Sequence, residues 1–270
     1  AGARRAILTT VAAAAVLAAA TSLLQAYGFD CPFFSQHRVP GGTLGNRNFV
    51  AHIAAVFAPA LALAALQARG RLGALAGAAG AAVLAAALVL SRSRAAILAV
   101  GAAALVLCYG FWRARGGMKE GSLPFKVKAL LLAAVLASAA AMLAPNALEW
   151  KSKSPYLDTV SGIADYHKGS GHGRLLQYTR SLRIAAAHPL LGAGPGNWSV
   201  VYPQYVKDYD RSIDYGTGRT INPWPSSDWV AILSERGLPA LAAMLAVFLI
   251  LFIGALRRGF TADGDESLEG

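Results

Sequence analysis

Apolar residues in this chain do not alternate with polar ones; they run in blocks. Six stretches, residues 6–24, 49–66, 72–90, 95–112, 129–144 and 238–256, are nearly free of charge. Each is about as long as an α-helix needs to cross the ~30 Å apolar core of a bilayer. The pattern predicts an all-α integral membrane protein, a polytopic helical bundle of about six spans. The spans are rich in Ala and Gly, as in residues 72–87, and small side chains let helices pack closely in lipid. The first stretch is long enough to span and further spans follow it, so it does not read as a signal peptide.

Between the fifth and sixth spans lies a long connection, residues 145–237, the one place for substantial structure outside the membrane. Within it, residues 174–187 read as a helix with Leu175, Tyr178, Leu182 and Ala185 on one face. Gly171-His172-Gly173 precedes it, and His188-Pro189 ends it, because a residue before proline is pushed out of the α region. The glycine-rich run 192–196 follows a helix rather than a strand and contains a proline, so it reads as a tight turn and not a dinucleotide fingerprint. A second short helix is predicted over 227–236, broken at Gly237, with Pro239 in the first turn of the last span. No internal repeat or soluble domain boundary is visible, and residues 1–270 read as a single membrane domain. The chain opens almost directly into a span without an initiator Met, so it is expected to be the C-terminal part of a longer polytopic protein.

Composition agrees: 56% of residues are hydrophobic and 14% charged, outside the range of ordinary soluble domains. The net charge of +11 could suggest nucleic acid, but its distribution does not. Basic clusters at Arg4-Arg5, Arg69 with Arg71, Arg113 through Lys128, and Arg257-Arg258 occupy alternate connections. Placing all four in the cytoplasm satisfies the positive-inside rule with six spans and both ends inside. Residues 25–48, 91–94 and 145–237 then lie outside. Lys151, Lys153, Lys168 and six arginines and lysines beyond them lie in the long outer segment, where charge carries little weight. Arg92 and Arg94, two arginines in a four-residue outer hairpin, break the rule.

Two readings of Arg92 and Arg94 are open: interfacial snorkelling, or phosphate binding through bidentate charge-assisted hydrogen bonds. Arg174 is either a solvated side chain or a cation presented with a helix N-terminus to an anion. His172 lies two residues before it, in reach of the same ligand or simply solvated. His52 falls near the outer end of a span, as a functional or a packing residue. Asp228 is either a helix cap or a general base in a water-poor pocket, with Glu235 two turns on. The five histidines (His37, His52, His167, His172 and His188) show no metal-ligand spacing, and neither a metal nor a cofactor is expected. Cys31 and Cys108, in a loop and a span, are not placed for a disulfide.

These pieces in this order resemble the O-antigen ligase/polymerase superfamily of bacterial membrane glycosyltransferases. The resemblance rests on Gly42-Thr-Leu-Gly-Asn-Arg-Asn-Phe-Val-Ala51, Ser93-Arg94-Ala95 and Gly173-Arg174. It continues through His188-Pro-Leu-Leu-Gly-Ala-Gly-Pro-Gly-Asn197, Tyr202-Pro203, Ser227-Asp228-Trp229 and Glu235-Arg-Gly237-Leu-Pro. It implies metal-independent, inverting transfer of a glycan from undecaprenyl diphosphate to an acceptor hydroxyl at the periplasmic face of the inner membrane. The acceptor would be lipid A–core in a ligase and another lipid-linked glycan in a polymerase. Arg94 and Arg174 would clamp the diphosphate with Arg92 in support. In the family a histidine commonly precedes the residues matching Ser227-Asp228-Trp229; here Ser226 stands in its place. A serine hydroxyl is no base near neutral pH unaided, so Asp228 or a loop histidine takes the role, the base contributes little, or the protein is a weak or inactive relative. Outside this class, an anion or lipid transporter and a non-catalytic envelope assembly factor are the rivals.

Overall fold

In the computed structural model, described over residues 2–36, 38–114, 124–150, 152, 154–162 and 169–261, every one of the six apolar stretches is a helix. They are α1 (Gly2–Ala26), α2 (Arg47–Gln67), α3 (Gly70–Ser91), α4 (Arg94–Ala114), α5 (Phe125–Leu143) and α9 (Asp228–Thr261). All but α4 are long and apolar enough over their described residues to cross a membrane; the apolar part described for α4, Arg94–Gly110, is shorter. Between α5 and α9 lie α6 (Pro155–Ser161), α7 (Gly169–Ala187) and α8 (Trp198–Val201), with an antiparallel pair of two-residue strands, β1 (Ile213–Asp214) and β2 (Arg219–Thr220). His37, Lys151, Lys153, His167, Lys168 and most of the 113–128 basic cluster lie outside the described residues.

The chain divides into two units, Ala1–Ile163 and Ala164–Gly270. The long connection 145–237 is thus shared: its first part belongs with α1–α5 and the remainder with α9.

In the first unit, α1, α2 and α3 meet along small residues. Ala12, Ala15 and Ala19 pack with Val50, Ala54, Leu61, Leu84 and Ala87. A side chain at Gly77 would strike Ala65, and one at Gly80 would press on Leu61 and Val16, so these glycines set how close the helices come. Ala86 and Leu90 of α3 close on Ala141 of α5 and on Ala26. Lys126, at the start of α5, donates to the Leu66 carbonyl (3.0 Å) and to that of Ala68, satisfying carbonyls left free at the end of α2.

The second unit has a small apolar core tied to buried polar groups. Ile184, Trp198, Tyr202 and Ile213 are buried together, and Trp198 Nε1 donates to Ser181 Oγ at 2.9 Å. The glycine-rich run 192–196 is a turn, as expected, and it docks against α9: Ala193 N and Gly194 N donate to the Ser234 and Glu235 carbonyls (2.8 and 3.0 Å), and Leu238 N to that of Pro189 (2.8 Å). Gly192 and Gly237 have positive φ (65° and 78°), and a Cβ on either would collide with backbone of the other segment. Two runs that carried the resemblance are therefore one packed structure. Gly237 leaves helical geometry inside α9, where the sequence predicted the break.

Candidate functional site

The first unit presents a cavity lined by both arginines and carboxylates at the loop ends of its helices. The α1–α2 connection is pinned by Gln25, whose Nε2 donates to Ser35 O (2.9 Å) and whose Oε1 accepts from Gly41 N and Gly42 N (both 2.8 Å). Ser22 Oγ adds a bond to Pro40 O at 3.0 Å. Asn46 then caps α2 by accepting from Asn48 N at 3.0 Å, which delivers Arg47 to the first helical position. The Gly42–Ala51 run is thus a docking loop and helix start that aims an arginine.

The Ser91–Arg94 hairpin is held as firmly. Ser91 is fully buried; its hydroxyl donates to Leu88 O (2.6 Å) and accepts from Ser93 N (3.2 Å). Arg92 adopts left-handed geometry (φ 54°) at the end of α3, a place where glycine is usual. Its Nε donates to Thr159 Oγ1 of α6 at 2.9 Å, and its guanidinium lies 4.8 Å from the centroid of the Trp150 ring. Arg47 lies 5.6 Å from the same ring. Partial burial holds the Arg92 pKa below the ordinary arginine value, with Asp158 pulling the other way.

Arg38, Arg47 and Arg92, balanced by Asp30, Glu149 and Asp158, line a cavity of about 910 Å³ with Trp150. Arg94 does not line it: its guanidinium donates to the Gly162 carbonyl just past the end of α6. The hairpin therefore splits its two arginines between a cavity and a helix end. Arg38, Arg47 and Trp150 were not singled out from the sequence. The available signal was Arg47 itself, a cation at the end of an apolar stretch, as Arg92 is, beside a capping asparagine.

His172, Arg174, Ser226 and Asp228 all belong to the second unit. Helix α7 is already formed at Gly169, five residues before the predicted start, so Arg174 lies inside the helix and not at its N-terminus. The reading of Arg174 as a cation joined to a helix N-terminus is corrected accordingly. The glycines of Gly171-His172-Gly173 tolerate helix when flanking residues support it. Arg174 and His172 are exposed. One turn on from Arg174, Gln177 and Tyr178 grip the segment before α9: Ser226 Oγ and N both approach Gln177 Oε1 (2.8 and 3.1 Å), and Tyr178 OH donates to Ser226 O (3.1 Å). Residues three and four apart share a helix face, so α7 carries Arg174 and the anchor of Ser226 on one side.

Behind that anchor runs a hydrogen-bonded chain. Gln177 Nε2 donates to Ser212 Oγ (3.1 Å), Ser212 N to Asp210 Oδ1 (2.8 Å), and Tyr202 OH to Asp210 Oδ2 (2.6 Å), while Arg180 forms a buried ion pair with Asp210. Burial works to raise the Asp210 pKa, but the bonds from Tyr202 and Ser212 and the Arg180 charge overcome it and hold the carboxyl below its ordinary value. Burial, and the bond to Asp210, push the Tyr202 phenol well above its ordinary value.

The Ser226 hydroxyl donates to an amide oxygen, so it is occupied as a tether. Asp228 opens α9 and is exposed; the water-poor pocket considered for it is not formed around it. Glu235 instead accepts from Trp198 N at 3.2 Å, at the start of α8. His52 is exposed on α2. Among the described residues no three His, Cys, Asp or Glu side chains are grouped to hold a metal.

Several helices long and apolar enough to cross a membrane, with a folded segment before the last of them, define a multi-pass membrane protein. The sequence model of the O-antigen ligase family matches residues 79–245, and the chain belongs to that family. The match takes in the Ser91–Arg94 hairpin, α7 and the start of α9. No curated protein sequence matches the chain.

Proposed function

We propose that this protein transfers a glycan from undecaprenyl diphosphate to an acceptor hydroxyl at the periplasmic face of the bacterial inner membrane, as a glycosyltransferase of the O-antigen ligase type. The observation that supports it most is the build of the Ser91–Arg94 hairpin: a buried serine and a left-handed arginine spend structure to hold cations at a span end. Snorkelling arginines need no such framework.

The diphosphate is already a good leaving group. The enzyme's task is to neutralise charge as the bond to the sugar breaks and to position the acceptor oxygen for attack from the opposite face, which inverts the anomeric centre. Arg94 and Arg174 clamp the diphosphate and Arg92 supports it; no metal takes part. The acceptor proton passes to Asp228, the exposed carboxylate nearest in sequence to the family's histidine position, with His172 as the second candidate. Ser226 positions this segment through Gln177 rather than acting as a base. Lipid A–core is the acceptor in this reading. A polymerase of the same superfamily, with a second lipid-linked glycan as acceptor, is the alternative, and membrane lipid surrounds the carrier in both.

Arg94→Ala and Arg174→Ala are each expected to abolish transfer while the protein still inserts, measured by surface-glycan profiles of a complemented deletion strain. Full activity in both variants removes the clamp. Polymer accumulating on the carrier in the deletion strain identifies a ligase; single repeat units on the acceptor identify a polymerase.

A further inference from the structure

At the end of the first unit away from the Ser91–Arg94 hairpin, α1, α2 and α3 part to leave a groove of about 410 Å³. No residue of α1 before Ala12 is buried. Below that point Arg5 and Thr9 face Ala64 and Ala68 of α2 and Ala76 of α3 across the groove. Its floor is closed because α3 lies directly on α2: a Cβ on Gly73 would strike Ala68, and one on Gly77 would strike Ala65. Apart from Arg5 and Thr9 the lining is wholly apolar, and the Thr9 hydroxyl is spent on the Arg5 carbonyl at 2.9 Å.

The groove has the depth of one leaflet. Its lining runs from Arg5 to Val16 on α1 and from Gly73 to Val83 on α3. At ~1.5 Å of rise per residue this is about 15 Å, half of the ~30 Å apolar core of a bilayer. A helix ~10 Å across laid along that length would occupy roughly 1,200 Å³, so the groove is too narrow to seat a further span and suits a hydrocarbon chain.

The charge at its mouth has one sign. Arg5 is exposed, and among the described residues its side chain has neither an ion-pair nor a hydrogen-bond partner. Arg69 and Arg71, both exposed, flank the turn from α2 to α3 at the same end, and Lys126 donates there to the carbonyl of Ala68. The carboxylates described in the first unit, Asp30, Glu149 and Asp158, all line the cavity at the opposite end. An arginine whose stem lies along an apolar wall carries its guanidinium to the interface, and basic sites between spans attract anionic headgroups.

We propose that this groove binds one acyl chain of an anionic phospholipid, with Arg5 paired to the headgroup phosphate and Arg69 and Arg71 favouring a lipid of net negative charge. A zwitterionic lipid brings its own cation to the same mouth and is held less tightly. The inference stands apart from the transfer reading, since the groove and the hairpin lie at opposite ends of α3.

The test is native mass spectrometry of the full chain in detergent, titrated with phosphatidylglycerol and, separately, with phosphatidylcholine of the same acyl chains. Phosphatidylglycerol is expected to form a saturable adduct at least fivefold tighter than phosphatidylcholine. Arg5→Gln removes this preference and Arg5→Lys keeps it within about twofold. Arg4→Gln, one residue away and outside the lining, leaves it unchanged. Ala76→Phe fills the groove from an exposed position and weakens both lipids at least threefold with the melting temperature unchanged, which separates loss of the site from loss of the fold. Equal affinity for the two lipids, a preference that survives Arg5→Gln, or uptake indifferent to Ala76→Phe overturns the proposal. Binding of neither lipid overturns it as well and leaves the groove to a protein partner.

Discussion

Arg92 is the one non-glycine residue with positive φ among the described residues. A left-handed backbone costs a residue with a Cβ about 1 kcal/mol, and the contacts of its side chain with Thr159 and Trp150 compensate. Arg92→Gly separates the two effects: it relieves the backbone while deleting the cation. The variant is expected to insert and to melt within about 1 kcal/mol of the parent, since relief offsets the lost contacts, yet to lose at least tenfold in glycan transfer. A large loss of stability with transfer intact would make Arg92 a packing residue. Ser226 gives the converse case. Its backbone N–H also reaches Gln177, so Ser226→Ala keeps one tether and is expected to hold transfer within about threefold. Ser226→His adds a group able to accept a proton near neutral pH and is expected to raise transfer about tenfold or more, the lower range of general-base contributions. Unchanged transfer in Ser226→His would show that the acceptor needs no base at this position.

At the scale of elements, α7 and its buried ion pair set how the second unit responds to pH. The folded pKa of Asp210 lies below its unfolded value of about 3.9, so its contribution is present above that pH and is lost as pH falls through the lower folded value. The folded pKa of Tyr202 lies above its unfolded value of about 10, so its contribution is present below that pH and is lost as pH rises through the higher folded value. Fluorescence of the buried Trp198, compared with a Trp198→Phe control in detergent, should stay flat from about pH 5 to 9 and change only outside it. Asp210→Asn leaves a buried guanidinium without its counter-charge and should cost about 3 kcal/mol or more; an unchanged melting point would remove the ion pair from the account. The helical blocks were legible because apolar runs of bilayer length permit little else. The cavity was not, because Arg47 and Trp150 lie about a hundred positions apart and no periodicity connects them. The start of α7 was misplaced because Gly-Ser-Gly-His-Gly has low helix propensity and tertiary context overrode it. The docking of the 192–196 turn on α9 was hidden for the same reason as the cavity: a glycine announces a turn, not what the turn touches.

For the whole molecule, the distribution of basic clusters favours one orientation under the positive-inside rule. The basic clusters at Arg69 with Arg71 and around Lys126 and Lys128 lie at one set of span ends, and Lys126 reaches the end of α2 there. Arg38, Arg47 and Arg92 lie at the other ends of α2 and α3, where the rule disfavours them. With the first set in the cytoplasm, the cavity opens on the opposite face, where the proposed transfer requires its donor. The inverted orientation would expose the cavity to the cytoplasm and break the rule at most connections. Replacing Cys31 and Cys108, both free, by serine gives a background for single cysteines. Ser152→Cys and Leu190→Cys, one on each side of the division between units, should react in intact spheroplasts with a membrane-impermeant maleimide. Arg69→Cys should react only after the membrane is opened. Labelling of Arg69→Cys in sealed cells, with protection of Ser152→Cys, would place the arginines on the cytoplasmic side, out of reach of a periplasmic carrier, and would end the transfer reading.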